Sequence, residues 1–204
     1  MKRPKNALPA ARFERIALLL LAAGHARRFG GQKLLAPLAG RPLAHHAAAT
    51  FAALPFGRKV AVVGSVDLGL SQFGFTCVTV GGEAYPMSVS LAHGIEAVAG
   101  SDAVMIALAD MPFVPPAHIV RLAQRFRGSR IASSNGGILM PPAIFGAQWF
   151  GRLGSLSGDN GARSLLHGAP RVLANAVDLT DIDSAEDMMS ARARYEGGIR
   201  GLRS

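Results

Sequence analysis

Apolar residues recur along the chain in two rhythms. Residues 16–23 form an unbroken run, Ile-Ala-Leu-Leu-Leu-Leu-Ala-Ala, and 103–109 is nearly as apolar. Continuous runs of this length are what parallel strands covered on both faces require. Shorter runs over 59–63, 76–80 and 130–133 read as further strands, the first two closed by Gly64 and by Gly81-Gly82. Between them the spacing changes to three and four. Leu43, His46, Ala47, Thr50, Phe51 and Leu54 share one face of a predicted helix over 42–54, opened by Pro42. Helices are likewise predicted over 88–99, 116–126, 161–167 and 184–192. Ser184-Ala185-Glu186-Asp187 opens the last with a capping box. Strand and helix alternate throughout. The expected fold is a single three-layer α/β/α domain with a mostly parallel sheet, in which ligands bind beyond the carboxyl ends of the strands.

Composition narrows the class. The 204 residues are 50% hydrophobic and 17% charged, so one core of ordinary size is within reach and a disordered chain is excluded. No apolar run reaches the roughly 18 residues of a transmembrane helix. The lone Cys77 rules out an internal disulfide framework and is expected to be an inert core thiol. Trp149 is expected to pack, and His45 and His46 to be ordinary helix residues. The net charge of +9 sits mostly at the ends. Residues 1–15 hold five basic residues and one acid, and residues 191–204 hold four and one, which leaves 13 basic against 11 acidic residues between them. The expected organisation is therefore a basic N-terminal tail (1–15), a nearly neutral domain (16–190) and a basic C-terminal tail (191–204). Such a body does not look like a dedicated nucleic-acid binder. Lys2, Arg3 and Lys5 ahead of the apolar run have the layout of an export signal, but the run is short and Gly24-His25-Ala26-Arg27-Arg28 is a poor cleavage flank. The run is read as a strand and the protein as cytoplasmic.

Two loops at predicted strand ends carry chemistry. Leu21-Ala22-Ala23-Gly24 leads into a loop that ends at Lys33. Small residues there let backbone N–H groups approach a ligand, and Arg28 and Lys33 add fixed positive charge, a combination that suits a triphosphate. The loop is neither a Walker A motif nor a GxGxxG fingerprint. A plain surface loop with basic residues is the alternative. The second is Leu108-Ala109-Asp110-Met111-Pro112, where a carboxylate at the end of a buried strand calls for a partner such as a hard cation; a solvated turn-capping Asp is the alternative. Further along, Asp181-Ile182-Asp183-Ser184 clusters acids at a helix start, where dipole chemistry alone also explains them. Ser88 opens another helix, with simple capping as its alternative. Gly158-Asp159-Asn160-Gly161-Ala162-Arg163 suits a substrate loop, or equally a turn and helix start.

Leu-Ala-Ala-Gly-x-x-x-Arg-Phe-Gly-x-x-Lys, followed by Leu38-Ala39-Gly40-Arg41-Pro42-Leu43, resembles the MobA-like nucleotidyltransferases. The chain is most similar to their branch of molybdenum cofactor cytidylyltransferases, over about residues 16–190. The resemblance implies a nucleotide-diphospho-sugar transferase-like (Rossmann-like) fold and Mg²⁺-dependent transfer of CMP from CTP to molybdenum-loaded molybdopterin. It implies Leu21, Ala22, Ala23, Gly24, Arg28, Lys33 and Ser88 as nucleotide ligands. Arg28, Lys33 and Asp110 would be the catalytic residues, Asp110 and Asp183 the metal ligands, and Asp159 and Arg163 substrate ligands. Residues 140–145 resemble the family's substrate-side Pro-x-x-Phe segment. A molybdoenzyme or its chaperone is the implied partner. Ala26 stands where the family usually has serine, Pro86 where it has glycine, and Ser184-Ala185 replace Thr-Pro. A transferase with another acceptor or base, or a reductase-like or binding member of the same fold, are the other readings.

Overall fold

The computed structural model describes residues 10–23, 29, 32–81, 86–158 and 161–201. The chain builds a seven-stranded sheet from β1 (Ile16–Ala22), β4 (Arg58–Val63), β5 (Thr76–Thr79), β6 (Ala103–Leu108), β7 (Arg130–Ser134), β8 (Leu139–Gly146) and β9 (Arg171–Leu173). Their order is β5-β4-β1-β6-β8-β7-β9, and a two-residue hairpin, β2 (Pro37–Leu38) and β3 (Arg41–Pro42), stands apart. Within the seven-stranded sheet only β8 runs against its neighbours, β6 and β7; the other pairings there are parallel.

The continuous apolar runs are explained by what lies on each face. Along β1, Ile16, Leu18, Leu20 and Ala22 enter one core with Ala47 and Phe51 of α2 (Leu43–Ala52) and Ile119 and Leu122 of α4 (Pro116–Arg125). Ala17 and Leu19 enter the opposite core with Leu91 and Ile95 of α3 (Met87–Ala97) and Leu153 of α5 (Phe150–Gly154). Both faces are covered, which gives the three expected layers. Gly94 is the close-approach point of α3: a Cβ there would meet Leu19 Cδ1 at 2.5 Å.

Several expectations are corrected. No strand is expected over 139–146, yet β8 is an internal strand with Phe145 fully buried. Cys77 is exposed, because β5 lies at the sheet edge. The segment 161–167 is a short 3₁₀ turn (Ala162–Leu166) rather than an α-helix. Both ends of the compact body extend past their expected limits. Phe13, at the end of α1 (Ala10–Phe13), is buried against Phe56 with ring centroids 5.0 Å apart. The last helix, α6 (Ala185–Gly201), continues well beyond residue 190. Its Ala191 is buried with Leu38, Leu43, Ile182 and Met188, its Tyr195 hydroxyl donates to His46 Nδ1 at 2.7 Å, and its Arg192 donates to the Pro37 carbonyl. The His46 ring completes this link by donating Nε2–H to the Leu38 carbonyl at 2.8 Å. Residues in the expected tail thus clamp the β2–β3 hairpin. Among the described residues no helix is long and apolar enough to cross a membrane.

Candidate functional site

β1 and β6 are adjacent and parallel, with Leu21 opposite Leu108. The Ala109 N–H then donates to the Leu21 carbonyl at 3.0 Å, so the chains leave the sheet side by side. Ala23 begins one exit loop, and Ala109-Asp110 begin the other. A third segment joins them: the Ile182 N–H donates to the Asp110 carbonyl at 3.0 Å, which sets Asp183 beside Asp110. Asp183 is fixed from its other side by the cap of α6. Asp187 Oδ2 accepts from the backbone N–H groups of Asp183 and Ser184 and from the Ser184 hydroxyl, at 3.0, 2.8 and 2.7 Å. The Asp187 N–H returns a bond to Ser184 Oγ, so the predicted capping box forms with Asp in its last place. The Ser184 hydroxyl, foremost among these donors, holds the Asp187 carboxyl below its usual range.

Lys33 completes the arrangement. It opens a 3₁₀ turn (Lys33–Leu35) and its side chain is only 9% exposed. Its Nζ donates to Asp110 Oδ2 and to Asp183 Oδ1, both at 2.8 Å. Burial alone would drive the ammonium towards its neutral form, but the two carboxylates outweigh it and hold Lys33 above its ordinary pKa. Burial also pushes the Asp110 carboxyl upward, against the pull of Lys33 and with added push from Asp181 and Asp183. In an isolated ion pair the two shifts oppose each other. Both run upward here because burial raises Asp110 by more than Lys33 lowers it, while Lys33 gains from two carboxylates.

The burial of Asp110 also leaves one of its oxygens unserved. Asp110 Oδ1 is buried and has no hydrogen-bond partner among the described residues. A carboxylate oxygen in that position costs free energy unless something approaches it. Asp183 is over half exposed, and Lys33 engages only one of its oxygens. Among the described residues no group of three or more His, Cys, Asp and Glu side chains gathers as a protein-only metal cage would. Two carboxylates with open coordination positions are the donor set that suits Mg²⁺, which keeps waters and takes phosphate oxygens as its other ligands.

The remaining expected site residues fall in two groups. Leu21 and Ala22 end β1, with Ala23 buried just after them, while Gly24 and Arg28 lie outside the described residues. Ser88 is buried in the first turn of α3, and its N–H donates to the Gly158 carbonyl at 3.3 Å. Two separate sequence motifs therefore meet, since Gly158 leads into the substrate-type loop. Asp159 lies outside the described residues; Arg163 is exposed on the 3₁₀ turn that follows. Ala23, Leu91 and Ala162 share one core cluster, which ties this second group to the end of β1.

Sequence reasoning missed three features. The sequence points Lys33 towards phosphate and carries no sign that it also bridges the two acids. Ile182, whose backbone links the acids, carries no chemical signal at all. His118 was passed over: it is fully buried on α4, with its Nε2 2.8 Å from Ser133 Oγ.

The model of the MobA-like NTP transferase domain family matches residues 18–175, from within β1 through β9. No curated protein matches the chain at a significant level. Among solved structures, Rv0371c from Mycobacterium tuberculosis H37Rv superposes with a TM-score of 0.78 at 21% identity, covering 87% of this chain and 98% of that one. A second structure of Rv0371c, in complex with manganese, has a TM-score of 0.72 at the same identity and coverage. A nucleotidyl transferase from Methanothermobacter gives 0.72 at 23% identity, with 90% and 98% covered. A 4-diphosphocytidyl-2C-methyl-D-erythritol synthase from Anaerococcus prevotii gives 0.71 at 16%, with 91% and 99% covered. Identities this low speak for the fold. The family model, which spans most of the chain, decides the kinship: the protein belongs to the MobA-like NTP transferase domain family and is a nucleotidyltransferase of that family.

Proposed function

We propose that the protein transfers CMP from CTP to molybdenum-loaded molybdopterin, releasing pyrophosphate and molybdopterin cytosine dinucleotide. The observation that carries the transfer chemistry is the convergence of Lys33, Asp110 and Asp183 beside the end of β1. The acceptor's terminal phosphate oxygen attacks the α-phosphorus of CTP. As that P–O bond forms, the bond from the α-phosphorus to the bridging oxygen breaks, and pyrophosphate leaves with the electron pair. The attacking phosphate is already ionised at neutral pH, so this chain supplies no nucleophile and no strong base. Its work is positioning and charge compensation.

Asp110 and Asp183 would hold Mg²⁺. The ion would neutralise charge that develops on the phosphoryl oxygens. Lys33 and Arg28 would hold the leaving pyrophosphate. Ser88 and the loop through Asp159 and Arg163, brought together by the Ser88–Gly158 bond, would face the nucleotide and the acceptor.

Choice of base rests on Ala23. Its Cβ stands at the buried end of β1, where guanylyl relatives usually carry glycine and leave that space empty. A methyl at this point favours a pyrimidine over a purine with an exocyclic amine. One methyl in a pocket gives roughly 10–200-fold discrimination. The test is pyrophosphate release from each NTP with molybdenum-loaded molybdopterin, using wild type, Ala23→Gly and Asp110→Ala. CTP should be preferred, Ala23→Gly should narrow the preference, and Asp110→Ala should abolish turnover in a folded protein. Equal use of CTP and GTP by the wild type refutes the cytidylyl reading. Near-normal turnover by Asp110→Ala refutes the site.

A further inference from the structure

We infer that Lys33 is an exchangeable placeholder. It holds Asp110 and Asp183 together before metal arrives, gives them up to the divalent cation, and only then is released to meet phosphate. The inference rests on the metal reading of the two acids given above.

Two carboxylates facing one another repel, and without a cation between them one or both would turn away. The Lys33 ammonium removes that repulsion with one 2.8 Å bond to each acid. It is well placed for this, because its stem is buried and the 3₁₀ turn that carries it is tied into the fold. The Leu35 N–H donates to the Gln32 carbonyl and the Ala36 N–H to the Lys33 carbonyl, both at 3.0 Å. The hairpin that follows is clamped by α6 through Tyr195, His46 and Arg192. The backbone under Lys33 is therefore fixed, and the side chain alone is free to change partner.

Geometry also says why the arrangement is provisional. Lys33 uses Asp110 Oδ2 and leaves Oδ1 buried without a partner among the described residues. An ammonium is a compact donor that reaches one oxygen of each acid. A divalent cation carries twice the charge in a smaller volume and accepts several oxygens, so it serves the orphan as well. Cation and ammonium then compete for the same two acids. Once displaced, Lys33 is a buried charge without a partner, and the anion that best satisfies it is the phosphate chain that the metal itself binds. Metal entry thus prepares the phosphate ligand, and the two binding events are coupled through one side chain.

This coupling predicts effects of opposite sign. Binding of Mn²⁺ is read from the electron paramagnetic resonance signal of the free ion, first alone and then with inorganic pyrophosphate. Lys33→Met should bind Mn²⁺ alone more tightly than wild type, on the order of tenfold, because the competing cation is gone. With pyrophosphate present the same variant should bind more weakly than wild type. Lys59→Met, whose ammonium donates to the Ala52 carbonyl elsewhere, should change neither. Should Lys33→Met fail to fold, the wild type decides. The chain has four lysines, Lys2, Lys5, Lys33 and Lys59, so ¹³Cε-lysine NMR distinguishes them. The Lys33 signal should move when Mg²⁺ is added without nucleotide, and move again with pyrophosphate. Equal Mn²⁺ affinity in Lys33→Met and wild type, or a Lys33 signal unmoved by saturating Mg²⁺, overturns the placeholder and leaves the metal site standing. No Mn²⁺ binding by any of the proteins overturns both.

Discussion

Lowering the pH should cost this fold stability through one residue, His118, and the amount follows from its surroundings. Ser133 Oγ donates to the Pro142 carbonyl at 2.7 Å, so its lone pairs face His118 Nε2, 2.8 Å away. His118 must therefore carry its proton on Nε2, and Nδ1 is left bare. Nδ1 is buried and has no partner among the described residues. Protonation would place a second N–H in that position with nothing to accept it. Burial, reinforced by the Arg121 charge and opposed by Asp178, accordingly lowers the pKa from 6.5 to about 4. The folded-state pKa lies below the unfolded one. As pH falls below 6.5, the unfolded chain binds a proton that the native state refuses, and stability drains away until the pH reaches about 4. Well above pH 6.5, where both states are neutral, the residue contributes no pH dependence.

At about pH 5 an unfolded histidine is almost fully protonated, whereas His118 in the fold would be about one-tenth protonated. That difference is worth about 2 kcal/mol. The assay is urea unfolding followed by far-UV circular dichroism at about pH 7 and about pH 5, on wild type and His118→Gln. The glutamine amide can still donate to Ser133 Oγ but does not titrate. The remaining five histidines are common to both proteins and cancel in the comparison. The loss of stability between the two pH values should be smaller in His118→Gln by about 2 kcal/mol. An identical loss in both proteins would refute the tautomer and the burial argument together.

Three further substitutions test the packing and the site. Gly94→Ala should destabilise the protein by about 1–3 kcal/mol in chemical denaturation, since the new methyl meets both Leu19 methyls, at 2.5 and 2.7 Å, in a fully buried strand; a change within experimental error would show that α3 can move off the sheet. Tyr195→Phe should cost about 1 kcal/mol by removing the bond to His46 Nδ1, while the ring contact with Phe113 at 5.4 Å remains. Unaltered stability would mean that α6 does not clamp the hairpin. Asp187→Ala should cost about 1–2 kcal/mol as a lost helix cap and should also weaken Mn²⁺ binding, because the Asp183 N–H loses its acceptor; stability loss with unchanged Mn²⁺ affinity would confine Asp187 to the helix.

The sheet was legible where one physical cause wrote the pattern. β1 and β6 are buried on both faces, so every position is apolar and the runs are unbroken. The reading failed at β8, which lies between β6 and β7 and carries Pro141-Pro142, a pair that normally argues against an internal strand. The register shows how the prolines are accommodated. β6 pairs with β8 only from Ala143 to Gly146, and β7 jumps from Ala143 to Met140 at an irregularity between Ala132 and Ser133. Pro141 and Pro142 fall in that jump, where no ladder N–H is required of them. The carbonyl of Pro142 is met instead by the Ser133 hydroxyl, which His118 supports in turn. The residues that make the strand possible lie on β7 and α4, so nothing within 139–146 could have announced it.

The candidate site divides along the same line. Each of its motifs was visible because each is local: small residues at a strand exit, an acid past a strand end, a capped helix start. What joins them is not local. Lys33 lies 77 residues from Asp110 and 150 from Asp183 in sequence. Read beside its own loop, it is one cation among several and phosphate is its natural partner. The fold gives it a different first partner, because the β2–β3 hairpin, held by α6, fixes the turn from which it reaches. Among the residues that hold this hairpin are Tyr195 and Arg192, in a segment whose basic composition suggested a solvated tail. Charge density told truly that the segment is polar. It did not tell that two of its side chains are spent on the Pro37 carbonyl and the His46 ring. Placing the C-terminal helix over the hairpin is therefore part of building the site, and disrupting Tyr195 should be felt at Lys33 before it is felt at either aspartate.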